Sequence, residues 1–93
     1  MLFEAIKLGI NIVPLINAGA DVNEKNNENL TPLHLAAKMS RLFAVEALLL
    51  AKACPSLTDD YGKRPIDYAV HPAVKLHLRN IMKTHPYKFI TEF

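Results

Sequence analysis

Residues 30–37 read Leu30-Thr31-Pro32-Leu33-His34-Leu35-Ala36-Ala37, and residues 63–70 read Lys63-Arg64-Pro65-Ile66-Asp67-Tyr68-Ala69-Val70, so the second octet echoes the first 33 residues on. A second element keeps the same offset: Leu15-Ile16-Asn17-Ala18-Gly19-Ala20 lines up with Leu48-Leu49-Leu50-Ala51-Lys52-Ala53, and Ile81-Met82 begins a third copy. Two distinct elements recurring at one period of this size are the mark of a solenoid, in which each unit buries its apolar face only against its neighbours.

Within one period the pattern reads helix, turn, helix, loop. Thr31 is a good N-cap, and Pro32 suits the first helical position because its missing N–H would go unpaired there anyway. That helix runs to about Met39. The next carries Leu42, Val45, Leu48 and Leu49 on one face at helical spacing. Pro72 opens another helix, with Val74, Leu78, Ile81 and Met82 as its stripe, while Ile12, Leu15 and Ile16 form a stripe near the start of the chain. Pro14 falls in a first turn, where it is tolerated. The polar stretches Asp21 to Asn29 and Ser56 to Gly62 are rich in turn residues, and Asn29 and Gly62 occupy equivalent places where a left-handed backbone is expected.

The run Thr31-Pro32-Leu33-His34-Leu35-Ala36-Ala37 resembles the ankyrin signature T-P-L-H-x-A, and Gly19-Ala20-Asp21-Val22-Asn23 resembles that family's passage from second helix to turn. The resemblance covers roughly residues 2 to 83. It implies an all-α solenoid of about two and a half helix-turn-helix units (about 1–25, 26–58 and 59–83), with turns projecting as hairpin-like fingers. Residues 84–93 leave the period and read as a C-terminal cap or a tail. Some positions depart from the family pattern. Glycine is usual where Lys7, Ser40, Ala73 and Lys52 stand. If those backbones are left-handed, each costs about 1–2 kcal/mol. The first unit admits a second register, with Gly9 as the inter-helix glycine and a second helix shortened by two residues. Arg64 and Asp67 replace the Thr and His of the signature, and an ion pair three residues apart on a helix can substitute.

The composition suits a small globular domain: 51% of the 93 residues are hydrophobic, 22% charged, and the net charge is +2. Lys and Arg are interleaved with Asp and Glu, so no basic stripe tracks a phosphate backbone, and nucleic acid is not an expected partner. No apolar run reaches the length of a membrane span, so no membrane partner is expected. The apolar start ending in Ala18-Gly19-Ala20 is not read as a signal peptide, since a basic beginning is missing and Glu4 stands there instead. A single cysteine, Cys54, allows no internal disulfide, which points to a reducing, cytoplasmic setting.

Nothing in the pattern asks for catalysis. His34 beside Thr31 reads as a group tying a helix start together, because the repeat replaces it by Asp67 and supplies no nucleophile. His71, His77 and His85 are spaced so that no two share a helical face at i, i+4, so no metal is expected. Cys54 reads as a small packing residue. No glycine-rich phosphate loop occurs, and no cofactor is expected. The resemblance implies a non-catalytic protein–protein interaction module that binds another protein on the concave face made by fingers and first helices. The alternative is a truncated regulatory or targeting region of a larger enzyme or effector. A monomer, or part of a longer repeat array, is the expected state. Matching to the family's variable positions gives the partner-binding candidates: Lys25, Asn27, Glu28, Leu30, Lys38 and Met39, then Thr58, Asp60, Tyr61, Lys63 and His71. Tyr61 and Met39 stand out, because aromatic side chains and Met are enriched at interface cores.

Overall fold

A computed structural model describes residues 2–84; residues 85–93, where most of the expected cap or tail falls, lie outside that range. The described residues form six helices and no strand: α1 (Leu2–Leu8), α2 (Val13–Asn17), α3 (Pro32–Lys38), α4 (Leu42–Leu50), α5 (Pro65–Tyr68) and α6 (Pro72–Thr84). They make three helix pairs, where the period had suggested about two and a half. The first helices α1, α3 and α5 pack side by side in one layer, and α4 and α6 pack together in the next, with α3 on α4 and α5 on α6. Between the layers lie Leu2, Ile6, Ile12, Leu33, Val45, Leu48, Val74 and Leu78, all essentially without solvent contact. Leu48 is therefore core, whereas Leu49, assigned to the same stripe from sequence, is only half-buried.

Four helix ends close in one way. The N–H of Gly9 bonds the Ile6 carbonyl while Ile10 N–H reaches back to Ala5, at 3.2 and 2.9 Å; Ser40 and Arg41 repeat this on Ala37 and Ala36 at 3.2 and 2.9 Å. Gly19 with Ala20, and Lys52 with Ala53, end α2 and α4 alike. This double closure needs a left-handed residue after the helix. Gly9 and Gly19 supply it without strain, while Ser40 (φ 57°) and Lys52 (φ 73°) adopt it despite their Cβ atoms. Lys7 does not: it is helical within α1, so Gly9 is the inter-helix residue and the second register holds. Helix α2 has five residues against nine in α4, a larger shortening than the two residues that register implied. Gly9 serves a second purpose, since a Cβ there would come within 3.3 Å of the Arg41 guanidinium. That guanidinium donates to the carbonyls of Ile6 and Lys7, at 3.1 and 3.0 Å, placing a cation on the C-terminal carbonyls of α1.

The third pair differs. Ala73 lies inside α6 and is not left-handed. The reason is Pro72, which has no N–H for the Tyr68 carbonyl four residues back and whose ring would clash with it. Helix α5 therefore stops at Tyr68, Ala69 is extended (φ −71°, ψ 125°), and the chain restarts at Pro72. The His71 ring accepts the Ala73 N–H at 3.1 Å, capping the new helix. At the start of α5 the Asp67 carboxylate accepts the Arg64 N–H at 2.8 Å and lies 3.5 Å from its guanidinium, the substitution expected from sequence.

Candidate functional site

Two loops carry most of the candidate residues, and each is built on one short polar side chain. In the first, Asn26 Oδ1 accepts the N–H groups of Glu28 and Leu30 at 2.8 and 3.0 Å, while Asn26 N–H bonds the Leu30 carbonyl at 3.0 Å. In the second, Asp59 Oδ1 accepts from Tyr61 and Lys63, both at 2.9 Å, and Asp59 N–H bonds the Lys63 carbonyl at 3.0 Å. Asn29 (φ 61°) and Gly62 (φ 74°) take the left-handed place in each loop, as their spacing predicted. The loops are also tied to each other. Asp60 N–H donates to the Glu28 carbonyl at 3.0 Å, and the Asn29 amide donates to the Asp60 carboxylate at 2.6 Å. The fingers are thus locked pairwise rather than independent.

His34 joins the second finger to the first-helix layer. It is fully buried. Its Nε2 lies 2.8 Å from the Lys63 carbonyl, which can only accept, so Nε2 carries the proton. Nδ1 then accepts from the Thr31 N–H at 3.0 Å, with the Thr31 hydroxyl at 2.9 Å. Both ring nitrogens are engaged in holding structure together, which matches the sequence reading of this residue. Among the described residues no group of three or more His, Cys, Asp or Glu side chains is placed to hold a metal ion, and no helix is long and apolar enough to cross a membrane.

Tyr68 is the organising residue that sequence reasoning missed. It stands 33 positions after Leu35 and so reads as a core apolar residue. In the structure it is half-buried, its ring in a T-shaped contact with His34 (centroids 5.8 Å apart) and its hydroxyl donating to Asp59 Oδ2. The Lys38 and Lys63 ammonium groups lie 5.8 and 5.4 Å from its ring centroid, within range of cation–π attraction. Burial pushes the Asp59 carboxyl up, but the bonds from Tyr68, Lys63 and Tyr61 outweigh it and hold the group below its ordinary value. The same bond to Asp59 raises the Tyr68 phenol to about 12, since a phenolate would face a carboxylate.

Of the candidates, Glu28 is brought to Asp60, and Lys38 to Lys63 through Tyr68. Lys25, Asn27 and Thr58 are exposed on or beside the two loops, Leu30 is half-buried, and Tyr61 is 70% exposed at its turn. Met39 caps the end of α3 and is 37% exposed, so it is available at the surface. His71 stands apart, in the turn between α5 and α6, with its ring spent on the α6 cap.

A different surface was not read from the sequence. A groove of about 640 Å³ runs between the turn that joins α1 to α2 and the helix α4. Ile10, Val13, Phe43, Ala47 and Leu50 line it, and Phe43 and Leu50 are 86% and 83% exposed. No residue of either finger contributes to it.

Comparison with known proteins agrees with the helix pairs. Residues 2–83 match three copies of the ankyrin repeat. The chain is 47% identical over 49 residues to the palmitoyltransferase AKR1 of Kluyveromyces lactis, covering 52% of this chain and 6% of that protein. It is 41% identical over 59 residues to the human ARF GTPase-activating protein GIT2 (59% of this chain, 7% of the relative) and 46% identical over 56 residues to the Drosophila melanogaster tyrosine-protein kinase Shark (59% and 6%). The chain thus spans less than a tenth of the length of these relatives, and the likeness is confined to a repeat region. Ankyrin repeats are protein-interaction modules, generally without catalysis of their own. By its matched repeats, which take in nearly all of its length, this chain belongs to the ankyrin-repeat family.

Proposed function

We propose that the chain binds another protein through its fingers and first helices, without chemistry of its own, and that Tyr61 is the aromatic centre of the contact. The observation that carries this reading is the state of Tyr61: 70% exposed, on a turn held by Asp59 and tied to the neighbouring finger through Asp60. A rigid, exposed aromatic loses little entropy on binding and serves no core. Lys38, Lys63 and Tyr68 supply a polar rim of two ammonium groups around one ring. The expected setting is cytoplasmic, consistent with a single free cysteine. A photo-cross-linking side chain placed at Tyr61 is expected to form an adduct with the bound protein, while the same group at Arg79, exposed on α6, is expected to form none. An adduct at Arg79 alone would move the binding face to the second helices.

A second reading has the repeats acting as a regulatory or targeting segment of a larger polypeptide. It is favoured by the relatives, in which the matching region is 6% or 7% of a much longer protein. Both readings use the same surface and differ in what the binding event controls.

A further inference from the structure

The outward face of α4 is apolar where the fold does not require it. Its sequence, Leu42-Phe43-Ala44-Val45-Glu46-Ala47-Leu48-Leu49-Leu50, is apolar at every position but Glu46, a pattern expected of a helix buried on most of its sides. Yet Phe43 and Leu50 are 86% and 83% exposed. The equivalent positions on α6 provide an internal comparison. Thirty-three residues on, Ala47 and Leu50 become Asn80 and Lys83, both exposed, while Phe43 becomes Leu76, 54% exposed. A second helix of this solenoid can therefore present polar residues at two of the three positions. Beside this ridge lies the groove left by the short α2, lined by Ile10 and Val13, which are 55% and 43% exposed. Charge is nearly absent: Glu46 lines the groove, and the Arg41 guanidinium is committed to the carbonyls of Ile6 and Lys7.

We propose that this face binds a second copy of the chain, the Phe43–Ala47–Leu50 ridge of each entering the other's groove between the α1–α2 turn and α4. Phe43, Ala47 and Leu50 stand at i, i+4 and i+7, so they form one ridge, and a ridge beside a groove on one surface is the self-complementary patch that a two-fold pairing needs. The area agrees. A standard interface takes about 800 Å² from each partner, about 65% of it apolar in homodimers, or about 500 Å². Four large exposed apolar side chains at on the order of 100 Å² each supply most of that. The groove shares no residue with the fingers, so pairing leaves both finger surfaces open and yields a bivalent binder.

Sedimentation of the full chain over a hundredfold range of concentration tests this. A rise from monomer to dimer mass is expected, with Phe43→Glu and Leu50→Glu each weakening self-association at least about tenfold. Both side chains are mostly in solvent, so the variants are expected to keep the parental circular dichroism and melting curve. Leu76→Glu, on α6 at the position equivalent to Phe43 but outside the groove, is expected to dimerise like the parent. A chain that stays monomeric throughout gives the groove to another occupant and overturns the proposal. So does a dimer indifferent to Phe43→Glu and Leu50→Glu.

Discussion

The His34 Nε2–H points at the Lys63 carbonyl from 2.8 Å, joining the first helix of one pair to the finger that precedes the next. Thr31 occupies the other ring nitrogen, so one side chain satisfies groups in two helix pairs. His34→Ala should therefore cost about 2–4 kcal/mol, from a cavity and from unpaired buried polar groups. Asp67→Ala, at the equivalent but exposed position, should cost less than about 1 kcal/mol. Urea unfolding of both variants checks the contrast, and equal losses would remove the special role given to His34.

Burial separates three neighbouring side chains of α4. Leu48 has no exposed surface, Leu49 is half-buried and Phe43 is 86% exposed. Leu48→Ala should cost about 2–5 kcal/mol, Leu49→Ala less, and Phe43→Gln within about 0.5 kcal/mol of the parent. Denaturant midpoints in that order are expected. A large loss at Phe43 would mean its side chain packs within the fold.

Ser40 and Lys52 bear a left-handed backbone that glycine adopts freely. Ser40→Gly and Lys52→Gly should each raise stability by up to about 1 kcal/mol, the relief of strain exceeding the added freedom of the unfolded chain. Lys7→Gly should lower it by about 0.5–1 kcal/mol, because Lys7 is helical. Thermal melts of the three check this, and a Lys7→Gly variant as stable as the parent or more so would contradict the register of the first repeat.

Much of this architecture was legible because it rests on local rules. Thr31 with Pro32, the left-handed Asn29 and Gly62, and the restart at Pro72 all follow from backbone chemistry within a few residues. The register of the first repeat stayed open in the sequence because Lys7 and Gly9 compete for one role, and only the bonds from Ile10 to Ala5 and from Arg41 to Ile6 separate them. Tyr68 was hidden because its period-mate is Leu35, and its partners Asp59, Lys38 and Lys63 come from a preceding loop and a neighbouring repeat. The α4 surface was not read for a related reason: the stripe Leu42, Val45, Leu48 and Leu49 marks the side that faces inward, and which of the other sides lacks a neighbour depends on the length of α2.

The Asp59 carboxyl titrates below its ordinary value of 3.8, so its bonds contribute stability that is present above that pH and lost as pH falls through the lowered value. Asp67 behaves alike, held down first by the Arg64 N–H. Asp59→Asn keeps an oxygen for the Tyr61 and Lys63 N–H groups, as Asn26 does in the first finger, but loses the charged acceptor of Tyr68. It should be less stable than the parent at neutral pH, with the gap closing below about pH 4. Urea melts at several pH values check this, and a constant gap would detach Asp59 from the acid response.

The most direct test of the central claim, recognition through the fingers, is a calorimetric titration of a partner protein into the parent and two variants. Tyr61→Ala should lower affinity by about 1–2 kcal/mol or more while its melting curve stays within about 0.5 kcal/mol, and Arg79→Ala should bind as the parent does. Undiminished binding by Tyr61→Ala together with loss in Arg79→Ala would contradict the account and place recognition on the second helices.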